Sequence, residues 1–232
     1  MAFRKSYQKM DTTTDGVFRD VRYTGGGRRR TSRRPTVRSV NRKVNGLFKK
    51  LNREVEVKQK LGTITEGPNT NIPIVTVVNL LAQGNDYNQR EGDTVSMKSV
   101  AWRMGFNLDS AEVADASVRF LWVYDRDTDG AVGTYTGMFT SDSVLSLVEN
   151  RGNTRGRYQI LYDKTFVFDK DGKGIMFNKG YIDLKNKQVQ YNNTTAAIAS
   201  VSKGALYQVV ISSGNTLACL MTLKYRLRYT DM

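Results

Sequence analysis

An all-β fold, a single eight-stranded antiparallel sandwich of jelly-roll type carrying a basic N-terminal arm, is predicted by three features of the sequence. From residue 54 onward, short segments alternate in hydrophobicity with the period of strands and are separated by Gly- and Asp-rich turns. Helical periodicity is confined to two short stretches. The single cysteine, Cys219, removes the paired cysteines of an immunoglobulin-type sandwich, so two sheets packed by side chains alone remain.

The arm is defined by charge. Of a formal net charge of +14, residues 1–53 contribute +13, from 16 Lys or Arg against Asp11, Asp15 and Asp20, while residues 54–232 hold 20 cations against 19 acids. A near-neutral body with a polycationic tail points to a polyanionic partner, and nucleic acid is the leading candidate. Residues 1–37, with Gly25-Gly26-Gly27 ahead of Arg28-Arg29-Arg30 and Arg33-Arg34-Pro35, are too polar to bury a core and are expected to be disordered. Between Ser39 and Arg53, Val40, Val44, Leu47, Phe48 and Leu51 recur at helical spacing, which predicts an amphipathic helix over about 39–53. A helix this short is marginal in water, so it is expected to order only against a neighbouring subunit or a nucleic acid.

The body, 54–232, is read as one shell-like domain. Strands are expected at Val55 to Leu61, Ile72 to Ala82, Val95 to Leu108, Ser117 to Tyr124, Tyr158 to Phe168, Lys173 to Phe177, Tyr181 to Leu184, Leu206 to Ile211 and Thr216 to Tyr229. A helix capped by Ser141 is expected over Ser141 to Glu149, with Val144, Leu145, Leu147 and Val148 as its apolar face. Val100, Trp102, Phe120 and Trp122 are expected to divide between the interior and interfaces between copies.

Catalysis is not expected. The sequence contains no histidine, which removes the commonest general base and the Ser-His and Cys-His pairs, and no paired-acid signature stands out from the turns. No apolar stretch reaches the length of a membrane span or a secretory signal, so no membrane insertion and a cytosolic or nuclear setting are expected. Asp125, Asp127 and Asp129 with Gly130 match the first half of a calcium loop. Thr136 stands where a bidentate Glu is needed, however, so an acidic turn is the better reading and a structural calcium ion at a subunit interface the alternative. The loop Arg151 to Arg157 leaves genome contact, receptor contact and plain turn open, and Asn192-Asn193-Thr194-Thr195 reads as a polar loop.

The Arg-rich arm is followed by Gln83-Gly84 through Gln89-Arg90-Glu91-Gly92-Asp93 leading into Val95 to Phe106, then by Val118-Arg119-Phe120-Leu121-Trp122-Val123-Tyr124-Asp125, Arg157-Tyr158-Gln159-Ile160-Leu161-Tyr162-Asp163-Lys164 and Gly204-Ala205-Leu206-Tyr207. The order of these features resembles the capsid proteins of small circular Rep-encoding single-stranded DNA viruses, with a jelly roll like that of satellite tobacco necrosis virus and, more distantly, geminiviruses. The resemblance implies a virion protein whose copies, about sixty in the smallest (T=1) icosahedral shell, enclose single-stranded nucleic acid, expected to be circular DNA.

Within the arm, the cations placed on the genome are Arg28, Arg29, Arg30, Arg33, Arg34, Arg38, Arg42, Lys43, Lys49 and Lys50, a run without an acid in which counterion release supplies affinity with little sequence preference. The same runs fit a nuclear import signal read by host machinery, with the protein in host nucleus and cytoplasm during infection, and a host receptor is a further implied partner. Two alternatives stay open: a single-strand-binding protein that forms no shell, which would need a basic aromatic groove in the body and is opposed by the body's charge of +1, and the capsid protein of a single-stranded RNA virus.

Overall fold

Alternation of buried and exposed residues builds one sheet, and continuous burial builds the other. The computed structural model describes residues 40–47, 56–68, 72–108, 116–148, 156–169, 175–213 and 219–232. The chain divides into two compact units, residues 1–49 and 50–232. In the first, residues 40–47 form helix α1, with every residue exposed, including Val40, Val44 and Leu47. The remainder of the predicted 39–53 helix, and the disorder expected of residues 1–37, lie outside the described residues.

The second unit contains β1 (Lys58–Glu66), β2 (Ile74–Val77), β3 (Thr94–Leu108), β4 (Ala116–Asp125), α2 (Tyr135–Met138), β5 (Tyr158–Phe168), β6 (Ile175–Tyr191), β7 (Val201–Lys203), β8 (Ala205–Ser212) and β9 (Cys219–Asp231). The sheets run β1-β9-β3-β6-β7 and β2-β8-β4-β5, and every pairing is antiparallel. Every connection except β4 to β5 and β6 to β7 crosses from one sheet to the other. This is jelly-roll wiring, eight long strands in two interleaved sheets with β7 as a short addition.

The two sheets differ in what covers them. Between them lies an aromatic core in which Trp102 of β3 meets Trp122 of β4 at 5.7 Å and Tyr162 of β5 edge-on at 5.0 Å, and Phe106 meets Phe166 at 5.1 Å. The outer face of the four-stranded sheet is also covered, because Leu121, Val123, Tyr207 and Val209 pack beneath Tyr135, Met138, Phe139 and Val144. Burial on both faces is why β8 is buried throughout and β4 nearly so, and why both read in sequence as unbroken apolar runs. In β9, by contrast, Cys219, Met221, Leu223, Tyr225, Leu227 and Tyr229 are buried, whereas Leu220, Lys224, Arg226 and Arg228 are exposed. Within residues 50–232, no described element packs on that outer face of the five-stranded sheet.

Four expectations are corrected. Val100, Trp102, Phe120 and Trp122 are all interior rather than shared with interfaces. Residues 141–148 form bends and turns instead of a helix, and the helical turn sits earlier, at Tyr135–Met138, capped by Thr134. Leu145 and Leu147 are 88% and 74% exposed, so the apolar spacing that suggested a helix face does not correspond to a buried one. Lys173 to Phe177 and Tyr181 to Leu184 were expected as separate strands; their described residues, 175–177 and 181–184, belong to the single strand β6. Opposite Lys98 this strand bulges, with Lys185 and Asn186 at positive φ, and the apparent end at Leu184 is that bulge. Of the apolar run Ile72 to Ala82 only Ile74–Val77 is strand; Val78, Asn79 and Leu81 are buried in irregular backbone.

Candidate nucleic-acid interface

The bare face of the five-stranded sheet carries a cluster of positive charge that the net charge of the body conceals. Alternation along β9 sends Lys224, Arg226 and Arg228 outward, since side chains two apart share a face. The strand register then sets Lys224 beside Arg103 of β3, and Arg103 beside Lys179 of β6, so three cations stand in one row across three neighbouring strands. In the next row, Leu61 of β1, Arg226, Ala101 and Tyr181 follow one another. No carboxylate pairs with any of these five cations among the described residues; Asp183, beyond Ser99 in the row of Arg228, is the acid at the edge of the band.

Ala101, short among the longer side chains of the neighbouring strands, leaves a groove in this face. Beneath it, on the inner side of the sheet, Gly180 sits opposite Trp102, whose indole occupies the space a Cβ would need, and the place of a Gly62 Cβ is filled in the same manner by the ring of Tyr225. Leu61, Arg103, Lys179, Tyr181, Lys224 and Arg226 rise around Ala101 and Gly180 and enclose a shallow groove of about 720 Å³. A groove walled by unpaired cations and an exposed tyrosine can hold phosphates and a planar ring together. The sequence carried a signal for it, the Lys-x-Arg-x-Arg alternation at 224–228. Averaging charge over 179 residues hid that signal, and the groove removes the objection that the body holds no basic aromatic surface.

Of the arm residues assigned to nucleic acid, Arg42 and Lys43 are exposed on α1; Arg28, Arg29, Arg30, Arg33, Arg34, Arg38, Lys49 and Lys50 lie outside the described residues. Other arginines of the body have been spent on architecture. Arg90 is fully buried, lies 4.3 Å over the Tyr191 ring, and donates to the carbonyls of Leu81, Gly92 and Asn193. Arg119 forks onto Asp163 and, through Nη1, onto the carbonyls of Val144 and Ser146, which ties the 139–148 loop to the sheet. The Asp163 hydrogen bonds raise the pKa of this guanidinium.

The calcium candidate is also built around an ion pair. Asp125 is buried and both its oxygens are engaged: Arg157 Nε and Nη2 donate to them at 2.9 and 3.0 Å, and the Tyr207 hydroxyl donates to Oδ2 at 3.0 Å. Asp127 contributes its backbone N–H to Asp125 Oδ1 rather than a carboxylate to a shared ion. Among the described residues no group of three or more metal-ligating side chains gathers around Asp125, Asp127 and Asp129. Arg157, at the end of the basic loop whose role was left open, is part of this ion pair; residues 151–155 lie outside the described residues. Asn192 to Thr195 form an exposed polar loop, in which the Asn193 side chain accepts from the Thr195 N–H.

Residues 27–232 match the family described as satellite tobacco necrosis virus coat protein. The chain is similar to the capsid protein of Satellite tobacco necrosis virus 1, at 29% identity over 199 residues covering 84% of this chain and 93% of that one. It is also similar to the coat protein of Satellite tobacco necrosis virus 2, at 24% identity over 192 residues covering 81% and 92%. A solved structure from Desmodium yellow mottle tymovirus aligns at 11% identity over 76% of this chain and 88% of that one, a remote likeness with a TM-score of 0.34. Satellite tobacco necrosis virus is a single-stranded RNA satellite virus, so these matches correct the expected kinship with circular single-stranded DNA viruses and geminiviruses. The nuclear import reading of the basic runs depended on a virus replicating in the nucleus and loses that ground.

Proposed function

We propose that this chain, which belongs to the satellite tobacco necrosis virus coat protein family, encloses a single-stranded RNA genome in a closed icosahedral shell of about sixty copies. The capsid role itself follows from the family, and it is structural. The observation that carries the genome reading is the extent of the match, which runs from Gly27 through the arm's Arg28 to Arg34 and the whole jelly roll to Met232, so that the arm and the shell domain belong to one design.

Labour divides along the charge. The arm, with +13, supplies phosphate neutralisation that is indifferent to sequence, on the order of 800 positive charges for sixty subunits. The jelly roll supplies a rigid tile whose stability rests on packing, since a single cysteine, Cys219, allows no internal disulfide. The rival reading, a single-strand-binding protein that forms no shell, gains support from the basic groove. Negative-stain microscopy of the purified full chain separates the two: uniform closed particles are expected, and a dispersed monomer under all assembly conditions would overturn the capsid reading.

A further inference from the structure

We infer that the bare face of the five-stranded sheet binds unpaired nucleotides, with Phe177 and Tyr181 as stacking platforms and Arg103, Lys179 and Lys224 as phosphate ligands. The inference rests on the reading that the chain packages single-stranded RNA, and adds to it a second contact surface, on the shell domain.

Phe177, Lys179 and Tyr181 alternate on β6, so an aromatic, a cation and an aromatic stand in file on one face at intervals of about 6.6 Å. The two rings are 82% and 66% exposed, whereas most other aromatics among the described residues pack into two cores, Tyr87 being a further exposed one. Phe177 leans over Gly105 of β3, where an added Cβ would meet the ring at 3.1 Å; glycine thus lets the ring lie close to the sheet with one face outward. Tyr181 borders the groove beside Arg226, and the row of Lys224, Arg103 and Lys179 separates the two rings.

Charge decides what can occupy this surface. A second copy of the chain docking through the same face would set one group of unpaired cations against another, which repels. A polyanion is attracted instead, and counterion release favours it. The exposed rings then discriminate among polyanions. A duplex presents phosphates with its base faces already stacked, whereas an unpaired strand can lay bases on Phe177 and Tyr181 while its phosphates meet the cations between them.

The test uses the full chain and a short 4-thiouridine-substituted oligoribonucleotide, photo-crosslinked and mapped by mass spectrometry. Crosslinks on the peptide spanning 175–187 are expected in addition to those on the arm. Phe177→Leu and Tyr181→Leu should each weaken single-stranded RNA binding roughly tenfold while leaving duplex binding as in the parent. Phe177→Tyr and Tyr181→Phe, which keep the ring, should retain it. Crosslinks confined to residues 1–53 would overturn the inference, as would Leu variants that bind single strands like the parent. So would Leu variants that bind normally but no longer form particles, because the face would then be a contact between copies. If a Leu variant fails to fold, the crosslink map of the unaltered chain decides. A parent chain that binds no RNA at all would instead sink the packaging reading itself.

Discussion

Arg157, at the entrance to β5, forks onto Asp125, at the exit of β4, with Nε–Oδ1 and Nη2–Oδ2 distances of 2.9 and 3.0 Å, and the Tyr207 hydroxyl donates to the same carboxylate. These hydrogen bonds hold the guanidinium charged well above its ordinary value. Removing one partner leaves a buried carboxylate uncompensated, so Arg157→Ala should cost about 3 kcal/mol, measured by urea unfolding. Because the pair is an ion pair and not half of a metal site, adding calcium or a chelator should leave the unfolding midpoint where it was; a calcium-dependent rise would show that the turn binds the ion.

Glycine at position 180 is required by the indole of Trp102, which fills the place of its Cβ at 2.1 Å. Gly180→Ala should therefore push Trp102 off its packing against Trp122 and destabilise the body by about 1–3 kcal/mol. Tryptophan fluorescence should shift with it. An unchanged melt and spectrum would mean that the ring relocates freely.

Much of this was legible beforehand. The segments Val95 to Leu108, Ser117 to Tyr124, Tyr158 to Phe168 and Leu206 to Ile211 announced themselves, because β-branched and aromatic residues bounded by Gly and Asp turns have few other uses. What stayed hidden depends on contacts between segments. Gly180 interrupts β6 in sequence, yet in the fold Trp102 supplies the cover a side chain would have given. Val144, Leu145, Leu147 and Val148 recur at helical spacing, yet Leu145 and Leu147 are exposed on a loop held by Arg119. The row of Lys224, Arg103 and Lys179 joins residues from three distant segments, and only the antiparallel register makes them neighbours.

Burial raises the phenols of Tyr191, Tyr207 and Tyr229 above the ordinary tyrosine value of 10.0. The folded body thus favours neutral phenols, and the unfolded chain ionises first as the solution becomes alkaline. The stability they contribute is complete below about pH 10 and is lost as pH rises from there toward the folded-state values. Unfolding midpoints should be flat in the neutral range with respect to these groups and fall from about pH 10 upward, with tyrosinate absorbance from the three appearing together with unfolding. Gradual ionisation of all three in a still-folded body would contradict this.

Replacing Arg28, Arg29, Arg30, Arg33 and Arg34 by Ala should flatten the salt dependence of single-stranded RNA binding by up to about 3.5 units of log–log slope, at roughly 0.7 per neutralised phosphate. The thermal melt should not move, because these residues lie outside the jelly roll. An unaltered slope would place the genome contacts elsewhere.

The central claim, that copies of this chain close around single-stranded RNA, is tested most directly by recovering the nucleic acid from purified particles. Particles are treated with nucleases while intact, then opened, and the contents are divided between ribonuclease and deoxyribonuclease. The account expects nucleic acid that survives both enzymes inside the particle and, once released, is destroyed by ribonuclease alone. Released material destroyed only by deoxyribonuclease, or particles that protect nothing, would contradict it.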